Sequence, residues 1–192
     1  MKYKEMGHKD LTFYEIVRIG FPCRLYFDIE YDKLLNPTED GEVSMTIFRN
    51  FLIAYVQETL NLEISPLIVE NDQKLSGNMV ELDASDSTKF SRHLIVTFPG
   101  NVVFRNNKHV GQFVNSLCKR ITENAFINYS GDTSKLPADA LALRRLFFLK
   151  KCRDENIRYK LFVDMSVYDS DKNFRMPLSA KHIDIRRRHF NY

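Results

Sequence analysis

One short stretch constrains this chain more than any other. Arg24-Leu25-Tyr26-Phe27-Asp28-Ile29-Glu30-Tyr31 places Leu25, Phe27, Ile29 and Tyr31 at every second position. A repeat of two is that of a β-strand, whose successive side chains point to opposite sides. The apolar face of this strand needs a core. The other face carries Asp28 and Glu30, with Arg24 and Tyr26 beside them. The rest of the chain can supply the core: 192 residues include 15 Phe and 9 Tyr but only 7 Gly and 6 Pro. Such a composition excludes a disordered chain. No run reaches the roughly 18 apolar residues of a membrane span. The polar opening Met1-Lys2-Tyr3-Lys4-Glu5-Met6 lacks the apolar segment of a signal peptide. Cys23, Cys118 and Cys152 are widely separated, offering neither a disulfide framework nor a CxxC metal knuckle, which points to a reducing compartment, cytosolic or nuclear.

Around that strand the pattern changes period. Leu11 to Val17 is rich in β-branched and aromatic residues and is expected to pair with the 25–31 strand. Asn36-Pro37-Thr38-Glu39-Asp40-Gly41 is a polar turn. From Val43 to Leu60, Ile47, Phe48, Phe51, Leu52, Tyr55 and Val56 recur at helical spacing. Short strands are expected at Met79–Leu82 and Ser91–Phe98, and a second helix over Lys108–Phe126. Residues 128–134 read as a linker, followed by a basic segment through Arg153 and a third strand over Leu161–Tyr168. Without a regular βαβ beat, the expected class is α+β, with an antiparallel or mixed sheet flanked by helices. A single domain over 1–192 is expected, built as one body or as small lobes of about 1–130 and 131–192.

Charge is unevenly distributed. The net charge is +3, with 15 Lys and Arg against 19 Asp and Glu through residue 140, and 13 against 6 beyond it. A basic final quarter on an acidic body is a footprint for a polyanion, or a solvated tail.

Three constellations carry chemistry. Asp28 and Glu30, at i and i+2, lie on one strand face, and adjacent hard oxygens suit Mg²⁺ or Mn²⁺. Asp164 ends the apolar run Leu161-Phe162-Val163, where a carboxylate either completes a two-metal phosphoryl-transfer site or caps a turn. Ser91 and His93, with Lys89 if the strand extends that far, form a strip of donors for phosphate oxygens. A structural histidine held by a carbonyl is the alternative. No G-x-S-x-G elbow surrounds Ser91, so a nucleophile and its base are not indicated. Arg175 and Lys181 follow Asp164 closely and would neutralise a triphosphate or a nucleic-acid backbone. Arg186-Arg187-Arg188-His189 reads as an exposed tail, His109 as part of a helix start, and Cys23 and Cys118 as small core hydrophobes.

In order and wording, Leu25-Tyr26-Phe27-Asp28-Ile29-Glu30, Lys89-Phe90-Ser91-Arg92-His93-Leu94-Ile95, and Leu161-Phe162-Val163-Asp164 with Asn173-Phe174-Arg175 resemble the catalytic motifs of the eukaryotic primase-polymerases, in the archaeo-eukaryotic primase superfamily. Tyr14-Glu15-Ile16 and His109-Val110-Gly111 add to the resemblance, which runs from about Tyr3 to Lys181. It implies an RRM-like catalytic core. Asp28, Glu30 and Asp164 would hold the divalent metals, and Lys89, Ser91, His93, Arg175 and Lys181 would contact the triphosphate of an incoming nucleotide. It further implies template-directed primer synthesis and damage-tolerant extension on DNA, by a monomer in nucleus and mitochondrion. The N-terminal helical segment and the C-terminal Cys/His zinc region of the family have no counterpart in these 192 residues, and the spacer between His93 and Asp164 is short. A trimmed catalytic core is expected, with a binding-only fragment or a metal-assisted hydrolase as the alternatives.

Overall fold

In the computed structural model, residues 14–65, 68–70, 73–127, 137–152, 154–169 and 172–175 are described. The alternating segment forms β2 (Leu25–Asp32). It pairs antiparallel with β6 (Lys89–Val96), whose other edge carries β5 (Met79–Asp83), giving the sheet order β2-β6-β5. Three further antiparallel pairs complete the strands. They are β1 (Tyr14–Val17) with β9 (Lys172–Arg175), β3 (Ile68–Glu70) with β4 (Gln73–Ser76), and β7 (Phe147–Lys151) with β8 (Ile157–Leu161). The α+β class with antiparallel sheets and flanking helices is what the structure has, and every described strand pairing is antiparallel.

Helix α1 (Gly41–Leu60) starts where the sequence offers a cap. The Asp40 carboxylate accepts from the backbone N–H groups of Glu42 and Val43, satisfying donors that the first turn leaves unpaired. Asn61, in the left-handed conformation at φ 51°, ends it. Helix α2 (Asn107–Ala125) begins the same way, with the Asn106 side chain accepting from His109 N–H at 3.0 Å. The core lies on the apolar face of the sheet. Leu25, Phe27, Ile29, Tyr31, Phe90, Leu94 and Val96 are buried in one cluster with Met45, Phe48, Leu52 and Val56 of α1 and Val110, Val114, Leu117 and Ile121 of α2. The Phe27 and Phe48 rings meet edge to face at 5.2 Å. Tyr31 stacks on Phe148 at 4.0 Å and on Phe90 at 4.9 Å, tying the sheet to β7. Gly41 is required where α1 starts, because a Cβ there would lie 2.2 Å from the Phe90 ring.

Two expectations are corrected. The upstream strand does not join β2: β1 pairs with β9, Tyr14 opposite Arg175 and Val17 opposite Lys172. The third strand does not run from Leu161 to Tyr168 either. β8 ends at Leu161, residues 162–164 run briefly along β2, and Asp164 caps a 3-10 turn over Met165–Tyr168. A short helix, α3 (Ala138–Arg144), and β7 occupy the segment read only as basic. Among the described residues, no helix is long and apolar enough to cross a membrane.

Candidate active site

The register of β2 against β6 assembles the first two motifs. Asp28 faces His93, Glu30 faces Ser91, and Asp32 faces Lys89, so Asp28 and Glu30 share one face of the sheet with the Lys89–Ser91–His93 strip. β6 does begin at Lys89, as the strip required. The third motif arrives by a long-range pairing. Beyond β8, Phe162 C=O accepts from Glu30 N–H and Asp28 C=O accepts from Asp164 N–H, each at 2.8 Å, around an Ile29–Val163 bridge. β2 thus lies between β6 and residues 162–164, and Asp164 stands beside Asp28.

The turn after Asp164 is pinned from below. The Tyr168 hydroxyl donates to Tyr26 C=O at 2.7 Å, and Asn107 Nδ2 donates to Tyr168 C=O at 2.8 Å. Gly111 of α2 admits this turn: a Cβ there would sit 2.8 Å from Tyr168 Cβ. Burial raises the Tyr168 phenol well above its usual range, and that of Tyr26 too, so both remain neutral donors.

The three carboxylates have different surroundings. Asp28 is half-buried, and its Oδ1 is buried without a hydrogen-bond partner. His93 Nε2 lies 3.7 Å from that oxygen, beyond hydrogen-bond reach. Burial, then the charges of Glu30 and Asp164, push the Asp28 carboxyl up to about 6, while Lys89 and Lys150 pull the other way. Glu30 is held between two ammonium groups, Lys89 on Oε2 and Lys150 on Oε1, the latter at 3.5 Å. Asp164 turns its oxygens into its own turn, accepting from Ser166 N–H at 2.9 Å and Ser166 Oγ at 3.0 Å. The turn-capping role is therefore real, and it coexists with the position beside Asp28. Among the described residues, no three His, Cys, Asp or Glu side chains are gathered as a metal cage. The carboxylates are neighbours along the backbone whose charged ends are parted by cations and by a turn.

The remaining predicted residues are placed less fully. Arg175 lies on β9, with its side chain outside the described residues; Lys181 and Arg186–His189 lie outside them altogether. Cys118 behaves as a half-buried hydrophobe, its thiol pushed up to about 12 by burial, and Cys23 shifts the same way for the same reason.

Two contributors are not singled out by the sequence. Lys150, with Lys151 and Lys160, lines a cleft of about 400 Å³ that opens over Glu30 and Lys89. Its only signal in the sequence is membership of the basic final quarter. Arg92 points to the opposite face from Ser91 and His93. It is buried against Glu42, Glu81, Asp83 and the Phe90 ring, which locks β6 and β5 onto α1.

Curated proteins are similar to this chain in sequence. The chain is 30% identical over 192 aligned residues to the DNA-directed primase/polymerase protein of Danio rerio, covering 93% of this chain. It is 29% identical to the Mus musculus protein of that name and 24% to the Homo sapiens one, each over 88% of this chain. It resembles the DNA-directed primase/polymerases along nearly its whole length. The chain spans about a third of the length of these relatives, 34% to 35%. No protein-family model matches the chain.

Proposed function

We propose that this chain is a nucleotidyltransferase core that extends DNA-bound primers with nucleoside triphosphates, using divalent metal held by Asp28, Glu30 and Asp164. The observation that carries the reading is the pairing of β2 with β6 along one edge and with residues 162–164 along the other, which makes the three motifs neighbours around one strand. The donor chemistry suits a hard divalent cation. All three offer carboxylate oxygen, and the buried Oδ1 of Asp28 lacks any hydrogen bond, an arrangement that is costly unless a ligand completes it. Bound Mg²⁺ or Mn²⁺ would supply Lewis-acid stabilisation to phosphoryl transfer from the nucleotide's α-phosphate to a primer 3′-hydroxyl. The chain's own residues do the positioning. Ser91 and His93 present donors along one strand face and Lys89 adds a cation, a strip suited to triphosphate oxygens. Arg175 and Lys181 are proposed to join that strip. Organisation as one domain or two small lobes and a monomeric state belong to the same proposal, as do damage-tolerant synthesis and residence in nucleus and mitochondrion, which rest on the resemblance.

The direct test is primer extension by the 192-residue protein with Mn²⁺ or Mg²⁺, beside Asp28→Ala and Asp164→Ala. Extension that disappears in both variants supports the assignment; extension at wild-type level in either one overturns it. A second reading is favoured by the present engagement of Glu30 with two lysines and of Asp164 with Ser166. On that reading the chain binds DNA or nucleotide without incorporating it. Salt-sensitive binding with no incorporation at any metal concentration would select it.

A further inference from the structure

Glu30 is the carboxylate whose charge is already taken. Lys89 reaches it from β6 and Lys150 from β7, so both of its oxygens face ammonium groups. Lys150 is not there by chance of rotamer alone, because the backbone that carries it is fastened next to this site. The buried Asn36 amide accepts from Leu149 N–H at 2.8 Å and donates to Leu149 C=O at 3.0 Å, and it also donates to Asp32 C=O at the end of β2. One side chain therefore clamps the residue before Lys150 to the strand that carries Glu30. The lysine itself stays half-exposed on the wall of the cleft of about 400 Å³, with a flexible four-carbon stem. Lys151 lines the same cleft without an ion pair to Glu30 among the described residues.

A cation bound at Glu30 must displace these ammonium groups, and they need another anion to go to. We propose that Lys150 is a nucleotide ligand held in waiting. With Lys89, it transfers from Glu30 to the phosphates of an incoming nucleoside triphosphate, and this exchange exposes the Glu30 carboxylate to a divalent cation. The inference rests on the nucleotidyltransferase reading above and adds a coupling to it: triphosphate and divalent cation help each other bind because they compete for opposite members of one ion cluster. Such coupling is reciprocal, so it is measurable from either side.

The consequence is a pair of effects of opposite sign. Lys150→Met keeps the stem and removes the charge. Mn²⁺ binding to nucleotide-free protein, followed by the electron-paramagnetic signal of free Mn²⁺, should tighten by roughly two- to fivefold, the worth of one part-exposed ion pair. Binding of dATP in EDTA, followed by calorimetry, should weaken by a similar roughly two- to fivefold factor. Lys151→Met serves as the control for the general field of the cleft, and should move neither constant by as much as about twofold. Circular dichroism of the variants confirms an unchanged fold, and Lys150→Gln provides a second charge-removing variant.

Opposite shifts in Lys150→Met and Lys150→Gln, absent from Lys151→Met, support the exchange. Equal shifts in all three variants reduce Lys150 to one cation among several and overturn it, as does a weakening of both ligands or no change in either. Asp28→Asn separates the two levels of inference. If Mn²⁺ binding is lost in Asp28→Asn but indifferent to Lys150, the metal site stands and the exchange falls. If wild-type protein binds no Mn²⁺, or Asp28→Asn binds it undiminished, both fall together.

Discussion

Asp28 makes a quantitative prediction about stability that needs no substrate. Its carboxyl is pushed up to about 6 in the folded chain from an ordinary value of 3.8, chiefly by burial and then by Glu30 and Asp164. Below the ordinary value both folded and unfolded chains hold the proton, and Asp28 contributes nothing to pH dependence. Between there and about 6 the unfolded chain has lost the proton and the native chain has kept it. Since the native state binds more protons, stability falls as pH rises through this window and levels off above it. A difference of about two pH units corresponds to about 3 kcal/mol at neutral pH. About a fifth of the side chain remains exposed, at 21%, so the expected penalty is ~1–3 kcal/mol. Asp28→Asn removes the charge and keeps the shape. In EDTA at pH 8 the variant should therefore be more stable than wild type by ~1–3 kcal/mol, or about 2–7 °C in Tm for a chain of this length. By about pH 4.5 most of the advantage should be gone. Thermal melts of both proteins at half-unit steps of pH measure the difference directly and cancel the titrating groups that do not interact with Asp28. An Asn variant less stable than wild type at pH 8, or an advantage independent of pH, would refute the account of Asp28 as a confined and under-solvated carboxylate. Its confinement is also what a ligand-binding role would demand, since the free energy lost in folding is recoverable on binding.

Two other substitutions examine how the site is held. Arg92→Met should lower stability by about 2–3 kcal/mol. The loss leaves Glu81 short of one of its two arginines, while Glu42 and Asp83 are more than half exposed and recover solvation. A urea midpoint unchanged from wild type would show the cluster to be a surface ornament. Gly111→Ala puts a methyl group 2.8 Å from Tyr168 Cβ, and overpacking of about 1–3 kcal/mol should outweigh the gain of up to about 1 kcal/mol in helix propensity. An Ala variant more stable than wild type in the same urea titration would mean that the 165–168 turn yields freely.

Much of this site is legible in the amino-acid sequence, and the limits of that legibility have a physical cause. Asp28 with Glu30, and Ser91 with His93, are spaced by two, and a strand of any origin puts such residues on one face. What that spacing does not say is that the two strands pair in the register that sets Asp28 against His93. Asp164 is recognisable as an unusual carboxylate after an apolar run, yet composition misplaces its local structure. A strand over 161–168 satisfies the composition, but the chain leaves β8 at Leu161, and the Asp164 side chain caps the turn that follows. Lys150 is hidden for a different reason. A lysine is unremarkable in a basic segment until Asn36, more than a hundred residues earlier, fixes its backbone beside Glu30.

Periodicity is a local property, so the elements that bury a stripe or a face, β2, β6, α1 and α2, are readable from the residues alone, as are the α+β class and the candidate chemistry of each motif. Pairing is a property of the whole chain. Only the tertiary structure decided that β1 closes against β9 rather than β2, that residues 162–164 add themselves to the free edge of β2, and that Glu30 meets two lysines. Edge hydrogen bonds are available to any strand, and which partner claims them depends on what the shared core of helices and aromatic rings leaves within reach.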